Sequence, residues 1–389
     1  MATESVLRHY TKLVNLHAGV VCKVGARGRG LFASQRIAAG TQLLAVPPAL
    51  WITQASIRAR APRALVAEVD ALSGGDGRVA AATLTTLALL SGEAESAPYV
   101  ATLPAEPPDV PSLWPAERLA ALDGSPARNG AEQFASLVGA AHRALRLAAP
   151  ERDYLRLSCL ARSRALSGFE DDAFEFTLVP ALDLANHDLR PTAAIADGDG
   201  GAKALVAVAD LEPGDEVTIS YGPLSNAKLL RVYGFALESN PHDAVVLARS
   251  ELCAARRRVD GAAAPVPGGG SDDVLTRASP LAANALRSLR AALLTTEDAV
   301  NAGARGLGGA VEVSTPVSLR NERACLDVLR DALLAKLRAY PAAPDDDADA
   351  LAGDLAPWER HAVLTRLGEM HIILGQLEKV DQAFAVIGR

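Results

Sequence analysis

The sequence predicts an α+β protein: a strand-rich part interrupted by a helical insertion and followed by a helical C-terminal block. Three observations carry this. Short apolar runs bounded by Gly and Pro cluster at residues 19–53 and again at 174–221. Between and after them the apolar period becomes that of a helix, as at Leu84, Leu87 and Ala88 and at Leu137, Ala141 and Leu145. The length of 389 residues, 49% hydrophobic and 22% charged, gives room for two or three domains that each bury a core.

Residues 19–25 (GVVCKVG) alternate loosely, and the glycine-rich Gly28-Arg29-Gly30 leads into Leu31-Phe32-Ala33. After the turn at Ala39-Gly40, the apolar run Gln42–Val46 is stopped by Pro47-Pro48. Residues 54–92 and 131–166 are expected to be helical. Pro104, Pro107, Pro108 and Pro111 break the chain between them, so about 54–166 reads as an insertion. Strands return at 174–179, 203–208 and 216–221, the last after the turn Glu212-Pro-Gly-Asp215, and a short helix starts near Ser225. Beyond about 245 the chain is helical again. It is interrupted at 261–273 (GAAAPVPGGGSDD) and 341–354 (PAAPDDDADALAGD), both read as solvated linkers, and closes with a helix over Pro357–Ile387. The expected domains are 1–245, which includes the insertion, and 246–389.

Charge excludes some functions. With 39 basic and 46 acidic residues the net charge is −7, which argues against a nucleic-acid coat or an anionic-membrane binder. Arg256, Arg257 and Arg258 form a local basic cluster. The four cysteines, Cys22, Cys159, Cys253 and Cys325, lie far apart with no CxxC and no zinc spacing. Free thiols in a reducing compartment, and no metal site, are expected. The most apolar stretch, 80–90, is too short to span a membrane and contains three threonines. The N-terminus lacks an apolar signal core and carries Glu4, so a cytoplasmic setting is expected.

Three segments carry candidate chemistry. Arg27-Gly28-Arg29-Gly30-Leu31 allows a ligand to approach the backbone closely, although taken alone the glycines are better explained by a tight turn. Strand, and not helix, follows it, which is the wrong context for a dinucleotide site. Asp183, Asn186, His187 and Asp188 gather polar groups in an apolar setting, where each must find a hydrogen bond. A metal-dependent hydrolase built on Asp183, His187 and Asp188 would need further ligands that the sequence does not offer. Third, Tyr221, Tyr233 and Phe235 fall within fifteen positions in a chain that is only 4% aromatic, and Tyr221-Gly222 closes a strand.

Together these segments resemble the SET-domain protein methyltransferases. The resemblance is nearer to the subfamily that includes the Rubisco large-subunit lysine methyltransferase and the actin-histidine methyltransferase. The shared features are G-x-G-L (Gly28, Gly30, Leu31), D-x-x-N-H (Asp183, Asn186, His187), Y-G (Tyr221-Gly222), S-N-A (Ser225-Asn226-Ala227) and G-F (Gly234-Phe235). The insertion, from Pro98-Tyr99 through Trp114 to Gly124-Ser125, and the segment Arg162-Ser163-Arg164-Ala165-Leu166 also match that subfamily.

The resemblance implies a SET domain of short strands with a helical insertion, plus an all-helical C-terminal substrate-binding domain. It also implies methyl transfer from S-adenosyl-L-methionine to a protein side chain. The main chain of Gly28, Arg29 and Gly30 would meet the methionine end of the cofactor, and Arg164 would pair with its carboxylate. Asp183, Asn186 and His187 would complete the cofactor site, with Tyr221 as the catalytic residue. Tyr233 and Phe235 would wall the cofactor and the target channel, and Ser163, Leu166, Leu182 and Tyr233 would face the substrate. One departure stands out: the acidic residue often found before the first glycine is Arg27 here.

A lysine acceptor on a non-histone protein is expected. Leu166 and Leu182 occupy positions where the histidine enzyme carries a polar amide and a tryptophan, and an imidazole needs a polar partner to fix its tautomer. A histidine acceptor and a catalytically silent peptide-binding module are the alternatives. The chain is expected to act as a monomer, with neither nucleic acid nor membrane as partner. The likeness to the Rubisco enzyme adds a plastid (chloroplast) as the alternative to the cytoplasm.

Overall fold

A computed structural model describes residues 14–91, 97–104, 108–166, 176–260, 266, 272–301 and 313–388. Its Cα packing separates two compact units, residues 1–113 with 133–223, and residues 114–132 with 224–389. The chain therefore passes from the first unit to the second at Pro223, earlier than the boundary expected at 245. The part of the insertion at 114–132 is counted with the second unit.

In the first unit, strands β1 (Asn15–Leu16), β2 (Val20–Gly25), β3 (Gly28–Ala33) and β4 (Gln42–Val46) precede the insertion. Strands β5 (Asn186–His187), β6 (Ala193–Asp197), β7 (Lys203–Ala207) and β8 (Glu216–Ile219) follow it. They form two four-stranded sheets, ordered β1-β4-β7-β6 and β2-β3-β8-β5. The first sheet is antiparallel throughout. In the second, β5 runs parallel to β8, with Asn186 opposite Thr218. Leu31 of β3, Leu43, Leu44 and Val46 of β4, Leu205 of β7 and Val217 of β8 are fully buried in one core. Of the strand expected at 174–179, Phe174 and Glu175 lie outside the described residues. Thr177 and Leu178 make isolated bridges to Leu166 and Ile52.

The insertion is helical as expected, with α1 (Gln54–Arg60), α2 (Arg63–Leu72), α3 (Gly77–Ser91), α4 (Pro126–Ala144) and α5 (Glu151–Arg164). Thr53 and Ser56 cap α1 reciprocally, each side chain accepting from the other's backbone N–H. In α5, Pro150 precedes a first turn carrying Glu151 and Asp153, a good N-terminus for the helix dipole. Tyr154, Leu157, Leu160 and Ala161 are its buried face, so Arg164 in the last turn is delivered to the core's edge.

The second unit contains α6 (Asn226–Tyr233), β9 (Ala244–Leu247), α7 (Arg249–Asp260), β10 (Asp273–Thr276), α8 (Ala283–Ala292), α9 (Thr296–Asn301), α10 (Leu319–Leu337), α11 (Pro344–Leu351) and α12 (Pro357–Ile387). Ser225 caps α6, and Gly234 ends it at φ +83, the left-handed conformation that favours glycine. Leu326, Leu329 and Leu333 of α10 pack with Met370, Ile373 and Val380 of α12. Among the described residues the regular elements of the block are helices apart from the antiparallel ribbon β9–β10, so it is not the all-helical domain expected. The segment 341–354 is not a linker: Pro344 opens α11 with Asp345, Asp346 and Asp347 in its first turn. Asp347 is buried in an ion pair with Arg366 of α12. The other expected linker, 261–273, lies outside the described residues except at 266, 272 and 273. No described helix is long and apolar enough to cross a membrane.

Candidate active site

Strands β2 and β3 form a hairpin in which Gly25 pairs with Gly28, leaving Ala26 and Arg27 at the tip. Gly28 takes φ +89, a conformation that strains any residue with a Cβ. Gly30 meets a different constraint. A Cβ there would lie 2.7 Å from both Asn186 Nδ2 and Glu216 Oε1, so the absent side chain is what lets Asn186 sit against β3. Asn186 Nδ2 donates to Glu216 Oε1 at 2.7 Å and to the Arg29 carbonyl at 3.4 Å.

A second cluster is built from distant segments. Arg164 Nη1 donates to Asp183 Oδ2 at 2.8 Å and to the Asp183 carbonyl at 3.2 Å. The Tyr99 hydroxyl, buried at 1% exposure, donates to the same Oδ2 at 2.7 Å. Ala181 turns the chain into residues 182–184 at φ +69, uncommon for a residue with a Cβ; such strain costs on the order of 1–3 kcal/mol. Burial works to lower the pKa of Arg164, but the charge and hydrogen bond of Asp183 and the nearby Tyr99 and Tyr221 outweigh it and hold the group protonated. Arg29, which donates through Nη2 to the Thr102 carbonyl at 2.5 Å, is shifted down by burial and then by repulsion from Arg164. Burial likewise raises the Cys22 thiol, and Arg29 and Arg164 offset part of that rise. Two guanidinium groups thus feel one another beside a single carboxylate.

The D-x-x-N-H and Y-G motifs meet directly. The Tyr221 N–H donates to His187 Nδ1 at 3.1 Å, and the two rings lie 5.2 Å apart, centre to centre. The Tyr221 hydroxyl donates to the Ala185 carbonyl at 3.0 Å. The buried histidine therefore holds the backbone of Tyr221, while the main chain between Asp183 and Asn186 holds its ring end.

The structure thus brings together Gly28, Arg29, Gly30, Arg164, Asp183, Asn186, His187 and Tyr221 in the first unit. Tyr233 and Phe235 belong to the second unit, where their ring centres are 6.2 Å apart. Ser163 donates its hydroxyl back to the Leu160 carbonyl, and Leu166 forms a backbone bridge with Thr177 while half-buried. Leu182 differs from expectation: it is fully buried in the core and offers no surface to a substrate. Its apolar character is explained by its place in the buried cluster that also holds Val179 and Leu184. Asp183 and His187 are engaged as described, and Asp188 accepts from Arg27 and from the Arg190 N–H. Among the described residues no group of three His, Cys, Asp or Glu is arranged to hold a metal.

Residue types alone did not single out Tyr99 or Glu216, and they gave Arg27 no role. A tyrosine hydroxyl in the core must find a partner, and that rule points from Tyr99 to a buried acceptor. For Glu216 the local sequence gives no signal beyond its place at the start of a strand.

The donor set fits the α-amino-acid end of S-adenosylmethionine. Arg164 uses only Nη1, leaving Nε and Nη2 without an acceptor among the described residues. Asn186 Oδ1 likewise receives no donor there. A guanidinium fork for a carboxylate and a carbonyl oxygen for an ammonium group are what such a ligand requires.

The sheets and these motifs define a SET domain. Residues 28–222, half of the chain, match the SET-domain family model, and the chain belongs to that family. Residues 261–373 match the family described as Rubisco LSMT substrate-binding. Similar curated proteins include the actin-histidine N-methyltransferase of Mus musculus, 26% identical over 387 residues and 92% of this chain. The Homo sapiens protein of the same name is 25% identical with the same coverage. The chain spans 64% of the length of these relatives. Among solved structures, the SET domain of LSMT bound to lysine and AdoHcy superposes with a TM-score of 0.77 at 20% identity, over 99% of this chain and 92% of that one. Rubisco LSMT bound to AdoMet gives 0.77 at 19% identity, over 100% and 93%. At these identities the shared property is the fold.

Proposed function

We propose that the chain is an S-adenosylmethionine-dependent protein methyltransferase whose acceptor is a lysine side chain. The observation that carries this reading is the convergence of three groups in a SET domain. They are the spare guanidinium fork of Arg164, the carbonyl oxygen of Asn186 and the Tyr221 hydroxyl held at the Ala185 carbonyl. Support comes also from fold neighbours described as bound to AdoMet and to lysine.

When bound, S-adenosylmethionine supplies a methyl group on a positive sulfonium. The chain's own residues bind, orient and dry the reactants. Arg164 and Arg29 attract the cofactor's carboxylate, and the Gly28–Gly30 backbone allows close approach. A lysine with an ordinary pKa of about 10.4 must lose its proton to act as a nucleophile, and an apolar setting favours the neutral amine. The Tyr221 hydroxyl donates its hydrogen bond to the Ala185 carbonyl, so its oxygen is left to accept an N–H of the amine and aim the amine's lone pair. The reading extends to a non-histone protein substrate docked by the block 246–389, with the chain acting as a monomer in the cytoplasm.

A histidine acceptor is the second reading, favoured by the curated relatives. Because Leu182 is buried, the case against histidine rests on Leu166 alone among this chain's residues. The test is transfer from methyl-labelled cofactor into lysate proteins, followed by hydrolysis of the labelled product to amino acids. Label on methyllysine, lost by at least about tenfold in Tyr221→Phe, is expected. Label on methylhistidine overturns the acceptor assignment, and no transfer at all overturns the enzyme reading.

A further inference from the structure

The tip of the β2–β3 hairpin carries a cation spanning two carboxylates. Arg27 Nη2 lies 2.5 Å from Asp188 Oδ2, just beyond β5, and Nη1 lies 2.9 Å from Glu216 Oε2, at the start of β8. The other oxygen of Glu216 accepts from Asn186 Nδ2 at 2.7 Å. Glu216 is largely buried, with 12% of its side chain exposed, whereas Arg27 is half exposed.

We infer that Arg27 and Glu216 are positioning residues: the clamp fixes the Asn186 carboxamide so that Oδ1 faces the ligand, and thereby selects a ligand carrying an ammonium group at that point. The inference deepens the cofactor reading above and rests on it.

An ionised carboxylate only accepts hydrogen bonds, so only the NH₂ side of an amide can face Glu216. Turning the amide over would set Oδ1 against the carboxylate and leave both oxygens unpaired. Gly30 adds a steric limit, because β3 lies so near that even a methyl group would meet Nδ2 and Oε1. Arg27 in turn holds Glu216 from the opposite oxygen and ties it to Asp188. A two-point fork between two carboxylates is geometry that guanidinium supplies and ammonium does not.

Charge points the same way. The clamp, Arg27 with Asp188 and Glu216, has one more anion than cations. Arg29 and Arg164 with Asp183 have one more cation than anions. Asn186 touches both groups of residues, through Glu216 and through the Arg29 carbonyl. A zwitterionic amino-acid group, its ammonium toward the clamp and its carboxylate toward Arg164, matches this polarity.

The test is calorimetric, on the full chain, with S-adenosylhomocysteine and its analogue lacking the α-amino group. The wild-type chain is expected to prefer the amino compound by about tenfold or more, the worth of one hydrogen bond to a charged group. In Glu216→Gln and Arg27→Met that ratio falls toward one, and Arg27→Lys recovers part of it. If the clamp only ties the hairpin down, both ligands weaken together and the ratio holds, which overturns the inference. A wild-type ratio of one overturns it as well. A wild-type chain that binds neither compound overturns the cofactor reading itself, a distinct result.

Discussion

At Gly30 the site has no room for a side chain. The G-x-G spacing was visible in the sequence, but taken alone a tight turn explained it better. What separates the two glycines is their surroundings. Gly28 has open space about it and needs its left-handed φ, whereas Gly30 needs its missing side chain because Asn186 and Glu216 lie against it. Gly30→Ala is therefore expected to push both side chains off their positions. The loss should be about 1–3 kcal/mol of stability, the usual penalty for overpacking, together with weaker cofactor binding. Thermal melts with and without cofactor check this: the ligand-induced rise in Tm should shrink in the variant. An undiminished rise would mean that Asn186 does not face the ligand. Asp183 shows the limit of reading single residues. Its partners Tyr99 and Arg164 lie 84 and 19 positions away, and only the folded core brings them to one oxygen.

Among the elements, the strands β2 to β4 were legible from short apolar runs bounded by glycine and proline, and the closing helix α12 from a long stretch opened by Pro357. The run at 341–354 was not, because three consecutive aspartates read as a solvated tract. The same residues carry a helix-start pattern, proline at the first position followed by acids in the first turn, and that signal outweighs composition. Its burial is made possible by Arg366, whose guanidinium takes both oxygens of Asp347. An aspartate so paired is a packing element, although its sequence neighbourhood looks like a linker. The position expected of Leu182 failed for a related reason. An aliphatic residue beside a motif serves either a channel or a core, and the turn at Ala181 directs this one inward.

Across the molecule, the two units bury charge differently. The first unit pairs the buried side chain of Asp183 with Arg164 at the candidate site. The second unit seals a carboxyl inside. Glu369 of α12 accepts from Ser125 Oγ and from the Tyr340 hydroxyl, each at 2.9 Å. Burial above all, with the nearby Asp243 charge, pushes its pKa from 4.5 up to about 8, although the two hydroxyls and Lys336 oppose the rise. A folded-state value above the unfolded one means that the native state keeps the proton longer. Its contribution is complete below about pH 4.5 and is lost as pH rises through 8. Asp243, raised by burial to about 6, acts in the same direction at lower pH. Glu369→Gln removes the proton linkage while keeping the shape. Its melting temperature should vary less between pH 5 and 9 than that of the wild-type chain, and exceed it at pH 9. Parallel curves would place the titrating group elsewhere.

The proposed cofactor site rests on the fork of Arg164 that Asp183 leaves open, and a titration of the full chain with S-adenosylmethionine by calorimetry examines it without knowledge of the acceptor. The wild-type chain should bind one equivalent. Arg164→Lys, which keeps a cation beside Asp183 but loses the fork, should bind more weakly by about 1.5–3 kcal/mol, roughly ten- to a hundredfold. Equal affinities in a folded variant, or no binding by the wild-type chain, would contradict the assignment.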